Sequence, residues 1–387
     1  MKNLLDFNVP FTGMSNLRFT HCLAVAYVFL ENIDLIEELD KKCKPEQECS
    51  GCSVTNCKKA TAINHVVSYH CLFDTLSGSN SIRCRYDGEL NEMEKLIVGI
   101  KEQNAKSSCG SDYTVDFLFG FAGYEYRKYT DAAVFKNEII ASIDAGKPVI
   151  AEVKSGKGRF RLITGYDGDA LVCPDYGAAW DKPNKPPVYD EFIALYIIGD
   201  KIAPRYTLKN GLERVRQVME YNINHKFWDE YLIKMGGWGK FVSDDGLDKV
   251  DPDEIKKRMR RMKDTFGYTW DSHQFRITFR EFNLKYEKWQ RDDCYKEFRN
   301  PALFEVWGKI CKECAAIVNI GHLSWRPDLM KIEPSELPAV SVKICDAIVK
   351  FKKTDIKLLG YIKQAIEILE KNKVNAIWKY TIRSSPI

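Results

Sequence analysis

The sequence has no apolar run approaching the roughly 20 residues that span a bilayer, so no transmembrane helix and no membrane partner are expected. Its opening stretch, MKNLLDFNVPFTGMSN, lacks the basic, apolar and small-residue order of a signal peptide, and a cytoplasmic location is the expectation. GxxxxGK[ST], a helix-opening GxGxxG and HExxH are all missing, which leaves nucleotide and zinc-hydrolase readings without local support. Histidine is scarce, six residues in 387, so a general base has few sources. Internal repeats and low-complexity segments are absent as well.

What is present is ordinary for a folded protein, with 45% hydrophobic and 29% charged residues. A chain of 387 residues exceeds the usual size of one hydrophobic core, and two domains are expected. The 13 cysteines are many for a reducing compartment, where they serve as thiols, metal ligands or reactive groups rather than bridges. Charge is uneven. Residues 1–200 hold 22 Lys/Arg against 28 Asp/Glu, a net −6, and residues 201–387 hold 36 against 26, a net +10. A basic second half suits an acidic partner, or docking against the acidic first half.

The pattern HCLAVAYVFLENIDLIEEL predicts a helix over 20–40, capped by Thr20 and buried along its apolar first half. A cysteine-dense loop at 43–57 follows, then a strand or helix at 62–76 and helices at 89–103, 114–121 and 133–145. Short β-rich runs at 148–153, 159–166, 170–173 and 192–198 are separated by Gly, Asp, Pro and Asn, as in an antiparallel sheet. Helices first and a sheet afterwards give an α+β class. After Pro204 the sequence reads as helical to its end, with helices at 208–222, 252–266, 272–288, 301–320, 335–351 and 355–371. The expected domains are therefore an α+β domain at 1–203 with a Cys-rich insertion at 43–57, and a helical bundle at 204–387.

Cys22 is the first chemical candidate. A thiol near a helix N-terminus meets unsatisfied N–H groups and the positive end of the dipole, which favour the thiolate. The same residue is equally a small apolar filler of a buried helix. Asn16 stands six residues before it. Further on come GKPVIAEV at 146–153, GRFRLITGYDGD at 158–169 and ALVCPDYG at 170–177. Together these resemble the papain-like superfamily over about residues 12–200, in particular the C39-type peptidases and the butirosin-type aminoacyl transferases. The resemblance implies a papain-like fold, Cys22 as nucleophile and Asn16 as the oxyanion amide where the family usually has Gln.

The departures are as informative. The family's His corresponds to Arg159, and its Asp before Pro to Cys173, with Asp175 displaced beyond Pro174. An arginine stays charged and accepts no proton near neutrality. It can lower the pKa of a nearby thiol, or hold a carboxylate or phosphate as a fork. The resemblance therefore implies two functions. One is cysteine-dependent acyl transfer from a thioester or amide, with Cys22, Asn16 and Asp175 at the reacting centre. The other is a catalytically inactive descendant that binds a peptide or anionic small molecule through Arg159, Arg161 and Tyr166. His21, His65, His70 and His273 are the histidines available to replace the missing base; His21 should point away from the face of Cys22.

Cys43, Cys49, Cys52 and Cys57 place four thiols within 15 residues. That set can wrap one structural zinc ion; an iron–sulfur cluster or labile thiols are the other readings, and a redox or metal sensor is the function that would follow. Cys311 and Cys314, inside a helical run, read as a buried core pair. KKRMRRMK, from Lys256 to Lys263, makes one basic helix face. It is either a solvated face or a docking surface for an acidic partner, such as a carrier protein delivering an acyl thioester. No nucleic-acid module accompanies the charge, so no nucleic-acid partner is expected.

Overall fold

A computed structural model describes residues 2–6, 19–33, 69–70, 72–78, 112–154, 160–174, 186–224, 229, 296–325 and 336–383. Outside these lie Asn16, Arg159, Asp175, His65, His273, the four cysteines of 43–57, the helices expected at 89–103, 252–266 and 272–288, and the basic run 256–263. The chain divides into two compact units, Met1–Phe73 with Ser107–Arg205, and Asp74–Lys106 with Tyr206–Ile387. The second unit thus takes in 74–106, where the sequence pattern suggested a single cut near Pro204.

In the first unit the chain opens with strand β1 (Lys2–Leu4) and helix α1 (Phe19–Leu30). Helix α1 is apolar nearly all round, and every residue from Phe19 to Val28 is buried. It ends ten residues before the expected stop. Asn32 takes φ 48°, Asn32 N donates to Phe29 O at 3.1 Å, and Ile33 N donates to Val28 O at 3.1 Å. Asparagine tolerates the left-handed conformation this Schellman stop requires. Thr20 is the second residue of the helix and not its cap. Residues 69–70 and 72–76 are helical.

Helix α2 (Asp112–Ala122) turns through Gly123, at φ 78°, into strand β2 (Tyr124–Tyr129). Helix α3 (Ala132–Asp144) is capped by Asp131, whose carboxylate accepts from Ala133 N. It stops at Gly146, with Lys147 N donating to Ser142 O and Gly146 N to Ile143 O. Pro148 then follows, which cannot continue a helix. The Gly-Lys-Pro-Val segment is thus a helix stop feeding a buried strand, β3 (Val149–Val153).

The run expected as one strand at 159–166 is two, β4 (Phe160–Ile163) and β5 (Gly165–Asp167), followed by β6 (Ala170–Val172) and β7 (Phe192–Lys201). All pairings are antiparallel, in two sheets ordered β2-β7-β3-β4 and β1-β5-β6. The chain changes sheet at Thr164, and this is why one run serves two partners. The class is α+β, but β1 precedes the helices and β2 lies among them, so helices and strands are not segregated along the chain. Two strands escaped the pattern because YEYRKY and KNL are polar edge strands without an apolar alternation.

One face of the larger sheet carries an aromatic cluster. Phe19 of α1 meets Phe119 of α2, Phe160 of β4 and Tyr196 of β7 edge to face, with centroids 5.2–5.8 Å apart. On the opposite face Phe135, Ile139 and Ile143 of α3 pack over Val149, Ala151, Ile163 and Leu195. The small sheet is held by close approach. A Cβ added at Gly165 would lie 2.6 Å from Leu4 Cδ2 and 2.8 Å from Asn3 O, so only glycine lets β1 pair here.

Every described element of the second unit is helical. Helix α4 (Leu208–Asn224) starts at Thr207, whose N–H and hydroxyl both donate to Asn210 Oδ1. Buried Arg214 donates Nε and Nη2 to Ser77 O. Helix α5 (Pro301–Trp325) has Asn300 as its cap and proline at its first position. Its Cys311 and Cys314 are buried near Trp307 and Ile310, as expected of a core pair. The helices expected at 335–351 and 355–371 are one, α6 (Leu337–Arg383). The joint FKKTD contains neither Gly nor Pro, and Thr354 bonds back to Lys350 O at 3.0 Å, so nothing breaks the ladder. Its buried residues Phe351, Leu358, Ile362, Ala365, Ile366 and Leu369, with the polar pair Thr354 and Asp355 after the first of them, form one stripe.

Candidate functional site

Cys22 sits in the first turn of α1, where its sulfur is 0% exposed in a helix buried on all sides. Burial pushes its thiol well above the ordinary cysteine range; the positive charge of Arg161 works the other way, and Cys173 reinforces the rise. Cys173, half-buried just after β6, is pushed up to about 12 by burial, again opposed by Arg161. Arg161, half-buried on β4, donates Nη1 to Phe160 O at 3.1 Å. The charge of Arg161 thus acts on both Cys22 and Cys173. Among the described residues no imidazole and no carboxylate acts on the Cys22 thiol.

Arrangement and chemistry can be compared directly. An activated cysteine needs thiolate character, which a dry site opposes because desolvation penalises the charged form. Here burial is the largest influence, and the guanidinium only partly offsets it. Burial therefore favours the neutral thiol over the thiolate.

The other expected site residues fall in different places. Tyr166 is 1% exposed, and its hydroxyl donates to Asp144 Oδ1 at 2.8 Å. Asn3 Nδ2 donates to the same oxygen at 2.8 Å. These two hydrogen bonds hold the Asp144 carboxyl below its ordinary range, and the carboxylate raises the Tyr166 phenol in turn. Tyr166 therefore ties β1, α3 and β5 together and offers no open face to a ligand. His21 is fully buried and packs against His70, with ring centroids 5.2 Å apart and planes tilted by 47°. Asn16, Arg159, Asp175 and the four cysteines at 43–57 lie outside the described residues. Among those described, no three metal-ligating side chains gather. No described helix is long and apolar enough to cross a membrane.

Two features went unread in the sequence. Glu152, in the middle of β3, is 5% exposed on the aromatic face, where Tyr196 donates its hydroxyl to Oε2 at 3.4 Å. The signal was an acidic residue at an inward position of the apolar run PVIAEV. The second is a groove of about 490 Å³ along β2, whose lining includes Asp116, Arg127, Tyr129, Glu138 and Arg205. Asp116 and Arg205 are paired at 2.8 Å across it. Cys22, Arg161 and Cys173 are not part of its lining. Compared with protein-family models, with curated proteins and with solved structures, the chain matches none.

Proposed function

We propose that the chain is a binding protein on a papain-like scaffold, its first unit holding a peptide or an anionic small molecule with Arg159 and Arg161. The observation that carries this reading is the state of Cys22: fully buried, its thiol raised by desolvation, with no imidazole or carboxylate acting on it among the described residues. A scaffold that has Arg159 at the family's histidine position and Cys173 at its aspartate position keeps a positive charge while losing the proton acceptor. Guanidinium forks suit carboxylate or phosphate.

A second reading, acyl transfer, is favoured by one observation: Arg161 acts on Cys22 in the thiolate direction, at the first turn of a helix. In that chemistry the Cys22 thiolate attacks a thioester carbonyl, the donor's C–S bond breaks, its thiolate leaves, and an amine takes the acyl group from Cys22. Asn16 and a backbone N–H would hold the oxyanion and Asp175 would face the amine. A carrier protein docking on 256–263 would present the thioester, and Cys43, Cys49, Cys52 and Cys57 would hold one structural zinc.

The two readings part on one experiment. The native chain is treated with a haloacetamide and with a small acyl thioester from about pH 5 to about pH 9, across the range of activated and ordinary thiols, and adducts are mapped by peptide mass spectrometry. Cys22 is expected to stay unmodified until the chain unfolds. Labelling well below the ordinary thiol range, with transient acylation at Cys22, would overturn the binding reading. In the binding arm, inorganic phosphate and a short acetylated peptide acid should raise the melting temperature. Arg159→Gln with Arg161→Gln should remove that rise, and the absence of any rise in the native chain sinks the proposal.

A further inference from the structure

Strand β2 closes one side of the larger sheet, and among the described residues nothing pairs with its outer edge. Exposed edges invite pairing with another chain, and natural proteins often blunt them with charge. The charge on β2 is of both signs. Glu125 and Arg127 are exposed, lie two residues apart, and so share one face of the strand. Arg127 also acts on the Asp200 carboxyl of the neighbouring β7, more weakly than Lys147, which donates to that carboxyl.

The strand is also regular and accessible. Its one irregularity belongs to the inner partner, because Tyr124 pairs with Lys201 and Tyr126 with Ile198, leaving two residues of β7 opposite Glu125. Gly199 permits that bulge, since a Cβ there would lie 2.8 Å from Glu125 Cβ. Along the strand, Glu125, Arg127 and Lys128 are exposed and Tyr126 and Tyr129 half-buried, so the edge reaches solvent.

We propose that β2 pairs with β2 of a second copy of this chain, antiparallel about a two-fold axis, so that the sheet continues across a dimer. Isologous pairing brings the same patch against itself and must be self-complementary. Directly opposed residues project from the same face, so the axis passes through a residue of β2 and not between two. Centred on Glu125, the pairing would oppose two carboxylates. Centred on Arg127, it would oppose two guanidinium groups. Centred on Tyr126, each Glu125 faces Arg127 of the second copy, and Tyr124 faces Lys128. Opposed like charges destabilise a sheet and opposite charges stabilise it, so the Tyr126-centred register, which also pairs most of the strand, is favoured over those two. A single-sign edge would have opposed like charges throughout; this one pairs opposite charges about Tyr126.

Six residues of edge make a small contact beside the roughly 1,600 Å² of a standard interface, and the dimer should form only at high protein concentration. The test is sedimentation velocity of the full chain from about 1 to about 500 µM in about 50 mM salt, where surface charges are little screened. A monomer–dimer equilibrium is expected. Glu125→Arg alone and Arg127→Glu alone should each weaken it by about tenfold or more, because each turns two attractive pairs into repulsive ones. The double variant E125R/R127E should restore it, since the swapped charges again face their opposites. Circular dichroism confirms that each variant is folded. Hydrogen exchange of the native chain supplies a readout free of mutation: alternate β2 amides should gain protection with concentration. A chain monomeric throughout, a dimer indifferent to the single reversals, or a double variant no better than the singles would each overturn the proposal.

Discussion

On one face of the larger sheet Phe19, Phe119, Phe160 and Tyr196 meet edge to face; on the other, α3 lays Phe135, Ile139 and Ile143 over Val149, Ala151, Ile163 and Leu195. The first face buries the acidic side chain of Glu152, which accepts from the Tyr196 hydroxyl at 3.4 Å within the apolar layer. The second mixes aliphatic groups with Phe135 and Phe192, which meet edge to face, and keeps polar contacts at the rim, where Asp144 collects Asn3 and Tyr166. The contrast bears on Cys22, which is carried by the helix whose first residue, Phe19, centres the aromatic cluster. A thiol positioned by that packing is well fixed and dry. The same burial that locates it raises its thiol pKa and so disfavours the thiolate.

The comparison breaks most visibly at Phe160. Phe160→Ala removes a fully buried ring and should cost about 3–5 kcal/mol, against about 0.5–1.5 kcal/mol for Ile139→Val on the α3 face. Urea unfolding of both variants measures this, and a loss below about 1.5 kcal/mol for Phe160→Ala would show that the ring is not a packed member of the cluster. Next in size is Gly165→Val, which forces a side chain into the space held by Leu4 and Asn3. Overpacking of this kind should cost about 1–3 kcal/mol. It should also raise hydrogen exchange in β1 while leaving β3 and β7 protected. If exchange rises across both sheets, β1 belongs to the core under α3 and is no mere appendage.

The smallest effect is at the rim. The Asp144 carboxyl titrates below its ordinary value of 3.8 because Asn3 and Tyr166 donate to its charged form. A lowered folded value means the contribution is complete above the ordinary value and is lost as pH falls through the folded one. The Asn3 side-chain amide resonance should therefore move only in strong acid, and Asp144→Asn should abolish the movement. A transition at or above the ordinary carboxylate range would show that these hydrogen bonds do not favour the charged form.

Much of the architecture was legible because it is local. Asn300 followed by Pro301 marks a helix start, and Gly146-Lys-Pro148 marks a helix stop, each through backbone groups a few residues apart. The all-round apolar character of 19–28 called for a buried helix, and burial is what it has. Asn32 carries an equally local stop, but the apolar spacing continues through 33–36 and masked it. The α5 cysteines were readable as core from their spacing alone.

The candidate site was legible only as a set of residue types. Cys22, Arg161 and Cys173 lie far apart in the chain, and sequence spacing says nothing of how much water reaches the sulfur. Tyr166 showed the reverse limit: a residue inside the recognisable Gly-Tyr-Asp segment turned out to brace β1 and α3.

By itself the sequence determined, to within two residues, where the helices at 112–122, 132–144, 208–224 and 301–325 begin, that strand 149–153 is buried, and that charge is divided between the halves. Those properties depend on caps, periodicity and composition within a turn or two of each residue. Tertiary structure alone decided that 159–166 bends to serve two sheets, that YEYRKY is an edge strand of mixed charge, that two expected helices run on as α6, and that Cys22 is sealed. Each of these depends on what lies across a contact from a distant part of the chain, and neither hydrogen-bond partners nor desolvation can be read from neighbours in sequence alone.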